Sequence, residues 1–549
     1  MDADLSKPAI AQLGFWHLVA CGALLAVVVA ASKTLELGLE SRLVVSALRC
    51  AGQLMLLCAF VLEPLFERNS PPLIAAYLCL IVALASREAS SRLNYDYASV
   101  YYHFSVAFAI GAGSVILYAT CLVLDLTPFY DAKYLVPVSG MVVGNVLTST
   151  ALGANAFLTD VAEGSDRVEL CLSRGASWRE AALPALRKAM TAALTPTLNS
   201  MAVMGLVMMP GMMTGQMLGG QPPLVAGGYQ VMIMYLVSAA GCITTGLLLF
   251  FAAFSVFDAR THVLRRDLIR RRTKAQKKDI LLALAGAARA AFNRAVEAKP
   301  AASSDYGLVG ASDDAAMPRG PRYALEGGDG PYVAGAWLIA DGLTSKRTGI
   351  ECSLALKPGE PTSITGETGA GKSQLLKTLA KLVPSTGGSL SSVVVDAALP
   401  APAWRCAVAY VPQDRPTLPG SPRDLLAKCR AYAAQRDRDV ADDAAFEALA
   451  GAWGLAADKL DEPWYTLSGG EAQRANLAIA IALKPKILLL DEPMSACDSE
   501  TTALVEVTLR KFTGALLLVT HDAEQAARLC DHHLCLAKSA SSASLAELV

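Results

Sequence analysis

Residues 366–373 read GETGAGKS. This is G-x-x-x-x-G-K-[ST], the pattern of a phosphate-binding loop, in which glycines let successive backbone N–H groups converge on phosphate oxygens. Gly366, Glu367, Thr368, Gly369, Ala370 and Gly371 form the cradle. Lys372 reaches toward terminal phosphates, the Ser373 hydroxyl suits Mg²⁺, and Gln374 opens the next helix. The context agrees with the motif. A short strand-like run, 361–365, precedes the loop, and QLLKTLAKLV with helical periodicity follows it, so the loop delivers phosphate to a helix N-terminus.

Outward from that loop, residues 332–540 alternate strand and helix patterns, which predicts a doubly wound α/β domain. KILLLDE (486–492) is a buried strand ending in Asp491, suited to holding Mg²⁺, and Glu492, placed to orient and deprotonate an attacking water. LSGGEAQR (467–474) sets Ser468, Gly469, Gly470 and Glu471 at a second helix start. YVPQD closes a strand at Gln413, LLLVTHD closes another at His521, and SACD spans 495–498. These motifs in this order resemble the ABC ATPases. The resemblance implies ATP and Mg²⁺ as cofactors, with Ser373, Gln413 and Asp491 around the ion. It also implies catalytic roles for Glu492, His521 and Gln413, and nucleotide contacts from the 366–374 loop and from Ser468–Glu471. In that family the signature of one domain caps the nucleotide on another, so a second copy of the chain is the expected partner. One departure stands out. The family carries an adenine-stacking aromatic about 25 residues before the loop lysine, whereas the window 341–352, DGLTSKRTGIEC, has none. Leu343 occupies the usual place and Trp337 is the nearest ring.

Upstream the character changes. The whole chain of 549 residues is 53% hydrophobic with mean hydropathy +0.39, and its net charge of −1 gives no sign of a nucleic-acid partner. Its 13 cysteines contain no C-x-x-C pair, and Cys21, Cys58 and Cys79 lie within apolar runs, which points to buried free thiols rather than a disulfide framework. The first residues, MDADLSKPAI, lack the basic start and cleavage site of a secretory signal. Apolar runs near membrane-spanning length recur at 13–32, 43–63, 71–86, 100–124, 134–154, 196–218 and 229–254, an all-α polytopic membrane domain of about seven helices. So many runs in series argue against core helices of a soluble domain. Arg and Lys concentrate at 87–92, 167–188 and 260–278, all on one side if the count is seven, against Arg68 and Lys133 opposite. The positive-inside bias therefore puts the C-terminus in the cytosol.

The basic stretch 163–190, with Glu169 followed six residues later by Gly175, resembles the loop by which ABC permeases dock on their ATPase. PVSGMVVGN (137–145), PTLNS with PGMMTGQMLGG (196–220) and GYQVMI (228–233) resemble the permease of the bacterial iron-export ABC transporters, to which the plant aluminium-sensitivity permease also belongs. Arg49 and Gln53 sit one turn apart inside the second run, where an ionisable group is costly unless it functions or snorkels. The methionines between Met201 and Met217 suit either soft-metal binding or, the better reading, mobile packing.

Residues 259–298 are basic and then Ala-rich, a helix continuing from the last span. Residues 299–331 hold Pro, Gly, Ser and Ala without a period, the composition of a flexible linker. The expected organisation is thus a transmembrane permease (1–258), a basic helix with linker (259–331) and an ABC ATP-binding domain (332–549). CDHHLC (530–535) invites a metal reading, but on a strand it divides between two faces. The implied function is ATP-driven transport by a membrane-embedded homodimer, with a metal ion such as iron exported from the cytosol. Another solute such as a nucleotide sugar, or an ATPase-gated complex without transport, are the alternatives.

Overall fold

Long apolar stretches fold here as helices because a helix satisfies its own backbone polar groups, as a lipid environment requires. The computed structural model describes residues 15–38, 40–272, 322–324, 335–346, 348 and 351–536. Its N-terminal half comprises α1 (Phe15–Thr34), α2 (Glu40–Leu56, running on to Arg68), α3 (Pro71–Ser91), α4 (Val100–Val123), α5 (Ala132–Glu163), α6 (Ser165–Ser173), α7 (Trp178–Val203), α8 (Gly211–Leu218) and α9 (Pro223–Val256). Among the described residues, five segments are long and apolar enough to cross a membrane: Leu43–Arg68, Pro71–Ser91, Val100–Val123, Ala132–Glu163 and Pro223–Val256. A shorter apolar helix spans Gly22–Thr34, and the expected seven spans are not all matched. Most clearly, 196–218 is not one helix. α7 stops at Val203, the chain turns through Gly205 at φ +82°, and α8 restarts after Pro210. Glycine in the left-handed region followed by a proline is what ends a helix there.

The core of this half is α5 packed on α7 and α9, and small residues let the three approach. A Cβ on Gly153 would lie 2.8 Å from Thr245 Cγ2 and 3.1 Å from Ala193 Cβ, so the close crossing needs glycine. On α2, Arg49 is half-buried and Gln53 exposed. The twelve described cysteines are all free; Cys58 and Cys79 face outward, contrary to the expectation of burial.

The helix expected over 259–298 is likewise corrected where it is described. α9 ends at Val256, and the chain folds back, Phe257 pairing with Leu264 and Tyr95 with Arg271. Two of the basic residues anchor this return to the membrane half. Arg272 binds Asp96 (2.8 Å), and Arg266 pairs with Asp166 (2.7 Å) and Glu169 (2.7 Å). The rest of that helix call, 273–298, and most of the linker lie outside the described residues. Within the linker, Arg322–Ala324 form a strand, β1, parallel to residues 351–353.

The C-terminal half holds two sheets. β1, β2 (Leu338–Ser345), β3 (Glu351–Leu356) and β5 (Ser385–Ser392) form one, in the order β1-β3-β2-β5. β4 (Thr362–Gly366), β6 (Val408–Val411), β7 (Ile487–Asp491), β8 (Ala515–Val519) and β9 (His532–Leu536) form the other, all parallel, in the order β6-β7-β8-β4-β9. β7 and β8 are buried at every residue, as expected of apolar strands covered on both faces.

The two halves meet through α6 and the turn after it. Arg174, fully buried, donates to the carbonyls of Tyr410 (3.3 Å) and Asn476 (3.2 Å) and to Asn476 Oδ1 (2.7 Å). Glu169 pairs with Lys377 (3.1 Å), the Gln435 amide donates to the Arg174 carbonyl (3.1 Å), and the Ala433 N–H donates to Glu180 (2.9 Å). Gly175 adopts φ +91°, and a Cβ there would stand 2.4 Å from Cys406 Sγ. Gly175→Leu is therefore expected to undock this turn. A Glu169→Cys/Lys377→Cys pair should crosslink under mild oxidation, and the crosslink should fall several-fold when Gly175→Leu is added. An undiminished crosslink would mean the turn tolerates a side chain.

Candidate nucleotide site

The loop between β4 and its helix needs its glycines for specific reasons. Gly366 (φ +142°) passes so close to β9 that a Cβ would stand 2.1 Å from the Leu536 carbonyl oxygen, while Gly369 (φ +84°) and Gly371 (φ +89°) turn the chain into the left-handed region. Gly371 caps α10 (Lys372–Leu379). Glu367 and Thr368 are exposed at the loop tip and Ala370 is buried beneath it. Lys372 folds back on the loop, donating to the carbonyls of Gly366 (2.7 Å) and Glu367 (3.0 Å), and its Nζ is 3.4 Å from His521 Nε2. Gln374 has a buried side-chain oxygen with no hydrogen-bond partner.

The C-terminal ends of β6, β7 and β8 converge on that loop, since parallel strands put all these ends on one edge. Asp491 ends β7 almost fully buried. It accepts from Ser373 Oγ (3.1 Å) on one oxygen and from the Tyr410 hydroxyl (2.9 Å) on the other. Glu492, the next residue, sits at φ +46°, an unusual backbone for a non-glycine and one that aims its carboxylate away from β7. That carboxylate accepts from Gln413 Nε2 (2.8 Å) and lies 2.9 Å from His521 Nε2. Hydroxyl, carboxylate and amide oxygens in one place match what Mg²⁺ prefers, so the residues present fit that ion.

The sequence-marked residues do not all gather here. Ser468, Gly469, Gly470 and Glu471 open α11 (Gly469–Ala482) with a reciprocal cap. The Ser468 N–H donates to Glu471 Oε2 (2.8 Å), and the Glu471 N–H donates to Ser468 Oγ (3.3 Å). Hydrogen bonds from the Ser468 N–H and hydroxyl hold the Glu471 carboxyl below its ordinary range. Gln473, further along α11, reaches back, donating to the Gln413 carbonyl (3.1 Å) and to Ser495 Oγ (3.0 Å), while Gly470 lies against Ala496 and Cys497. In the tempting CDHHLC stretch, His532 faces Glu360 (3.1 Å), His533 faces Ser363 (2.7 Å), and burial pushes the Cys530 thiol up to about 12.

The membrane half, residues 15–257, matches the model of an uncharacterised protein family, UPF0014, and residues 351–495 match the ABC transporter model. The chain is 30% identical to the UPF0014 membrane protein YjkA of Bacillus subtilis, over 40% of this chain and 85% of that protein. It is 32% identical to Protein ALUMINUM SENSITIVE 3 of Arabidopsis thaliana, over 44% and 88%. Its second half is 34% identical to the phosphate import ATP-binding protein PstB of Mycolicibacterium smegmatis, over 33% and 75%. The chain belongs to the ABC transporters, with a UPF0014 membrane domain and an ABC ATPase domain fused in one polypeptide. The dimeric structure of a bacterial ABC transporter cassette resembles it at 22% identity and a TM-score of 0.31, over 36% of this chain and 94% of that one.

Sequence reasoning about this transporter missed Tyr410, Lys377 and Arg405, because a tyrosine on an apolar strand or a cation on a helix carries no motif. For the base, Leu343 is buried, and Trp337 is half-buried, with its backbone N–H donating to the Leu356 carbonyl (2.7 Å) and its own carbonyl accepting from the Ser392 hydroxyl. A missing stacking ring forfeits roughly 1–3 kcal/mol per base. GTP is therefore expected to be hydrolysed with kcat/KM within about tenfold of ATP. Both nucleotides should be measured in the parent and in Trp337→Ala; a strong ATP preference surviving that substitution would refute the expectation.

Proposed function

We propose that this ABC transporter works as a homodimer exporting a metal ion, iron first among them, from the cytosol. The observation that supports the dimer is that, among the described residues, the hydrogen bonds of the Ser468–Glu471 turn close on itself and on Cys497 and leave its helix start free to meet a second copy. Two nucleotide sites are then each built from both copies. The cargo reading rests on the membrane half alone. Its stretches 137–145, 196–220 and 228–233 resemble iron-export permeases, and ALUMINUM SENSITIVE 3 carries a metal in its name. Residues 1–258 are the permease, 259–331 the connector and 332–549 the ATPase, with the basic loops and the ATPase facing the cytosol.

In this reading the 366–374 loop holds the phosphates by backbone N–H groups and Lys372. Ser373, Asp491 and Gln413 would hold Mg²⁺, which when bound would neutralise phosphate charge. Glu492 takes the proton of the attacking water, held in place by Gln413 and His521. Closing the dimer moves the permease halves through α6, whose contacts reach both α10 and β6.

Reconstitution tests this reading. Metal-stimulated ATPase activity with iron accumulation in inside-out proteoliposomes is the expected result. Flux of a nucleotide sugar instead would change the cargo, and hydrolysis without flux of any solute would remove transport. Glu492→Gln is expected to bind ATP with parental affinity while turnover falls about 10²-fold or more, in line with loss of a general base. Turnover near the parental rate would place the base elsewhere.

A further inference from the structure

Tyr410 is engaged at both ends. Its strand, β6, is the edge of the five-stranded sheet, so main-chain groups there lack a further strand to pair with. Arg174 of the membrane half fills that gap, donating to the Tyr410 carbonyl (3.3 Å) while its other nitrogen holds Asn476 on α11. At its far end the Tyr410 hydroxyl donates to Asp491 Oδ2 (2.9 Å), the oxygen not used by Ser373. Both bonds are buried, where an unmade one is costly.

A buried tyrosine needs some acceptor, and a backbone carbonyl would serve. This one instead uses the carboxylate beside the phosphate loop, while its main chain is fastened to the membrane half. We propose that Tyr410 is a positioning residue that sets the orientation of the Asp491 carboxylate for a divalent ion and links that orientation to the docking of Arg174. An undocked α6 leaves β6 free to shift and the Asp491 carboxylate free to rotate. Docking therefore raises the affinity of the site for its ion. This rests on reading Asp491 as the ion-holding carboxylate. Hydrogen-bond partners behind a metal ligand typically change metal affinity or activity by 10–100-fold when removed.

The test is Mn²⁺ binding to the full chain in lipid nanodiscs with a non-hydrolysable ATP analogue, read by the electron paramagnetic resonance of free Mn²⁺. Tyr410→Phe keeps the ring packed and removes only the hydroxyl. Half-saturating Mn²⁺ should rise about tenfold, while affinity for the analogue without a divalent ion stays the same. Arg174→Lys, which keeps the charge but loses the forked donors, should raise it too, yet add little in the Tyr410→Phe background. Asp491→Asn should abolish Mn²⁺ binding; if it does not, the ion-site reading fails and the proposal with it. If Asp491→Asn abolishes binding but Tyr410→Phe leaves the half-saturation unchanged, the positioning role alone is overturned. Full additivity of Arg174→Lys and Tyr410→Phe would overturn the link to docking.

Discussion

Two buried guanidinium groups cross the boundary between the halves in opposite directions, and the working geometry depends on them. Arg174 enters the ATPase from the membrane half. Arg405 leaves the ATPase to take the carbonyls of Thr261 (3.1 Å) and His262 (2.9 Å) just after α9, together with that of Ala380 (3.3 Å). Burial lowers Arg174 to about 10 and Arg405 to about 9, which leaves both charged at neutral pH. Among the described residues, their hydrogen bonds go to carbonyl and amide oxygens and none to a carboxylate. Each charge is compensated by fixed dipoles, an arrangement that works only while the two surfaces stay in register. The contact therefore fixes the register of the two halves.

The rest of the boundary follows from those two anchors. Arg405 holds the chain at 261–262, which turns back under α9, and Arg266 then reaches Glu169, already paired with Lys377. Lys377 lies one turn beyond Ser373 on α10, and Tyr410 touches Asp491. The membrane half thus contacts the phosphate-loop helix and the Asp491 strand through short routes of one or two side chains. Gly175 matters for the same reason, since the close approach at Cys406 leaves no room for a Cβ.

Strain and polarity at the nucleotide site are similarly local. Glu492 occupies a left-handed backbone immediately after five buried strand residues, and it is held there by Gln413 and His521 from neighbouring strand ends. Three parallel strands ending on one edge bring these side chains together, although they are spread over more than a hundred residues of chain.

Much of this was legible in the residues alone. The 366–373 loop with Asp491 and Glu492 is marked by residue type, because phosphate chemistry demands glycine, lysine, hydroxyl and carboxylate at set spacings, whereas Gln413, His521 and the 468–471 turn are marked by the resemblance to the ABC ATPases. The membrane half declared itself by apolar run length, a property of composition. Helix limits did not: run length cannot say that Gly205 and Pro210 break a span, or that basic residues after Val256 pair with Asp96, Asp166 and Glu169 instead of continuing a helix. Nor could the residues reveal that Arg174, Tyr410 and Asp491 form one chain of contacts. Local spacing determined which chemistry the chain carries. Only the tertiary structure decided which distant side chains share a buried boundary, because a buried charge or carbonyl takes whichever partner the packing brings within reach.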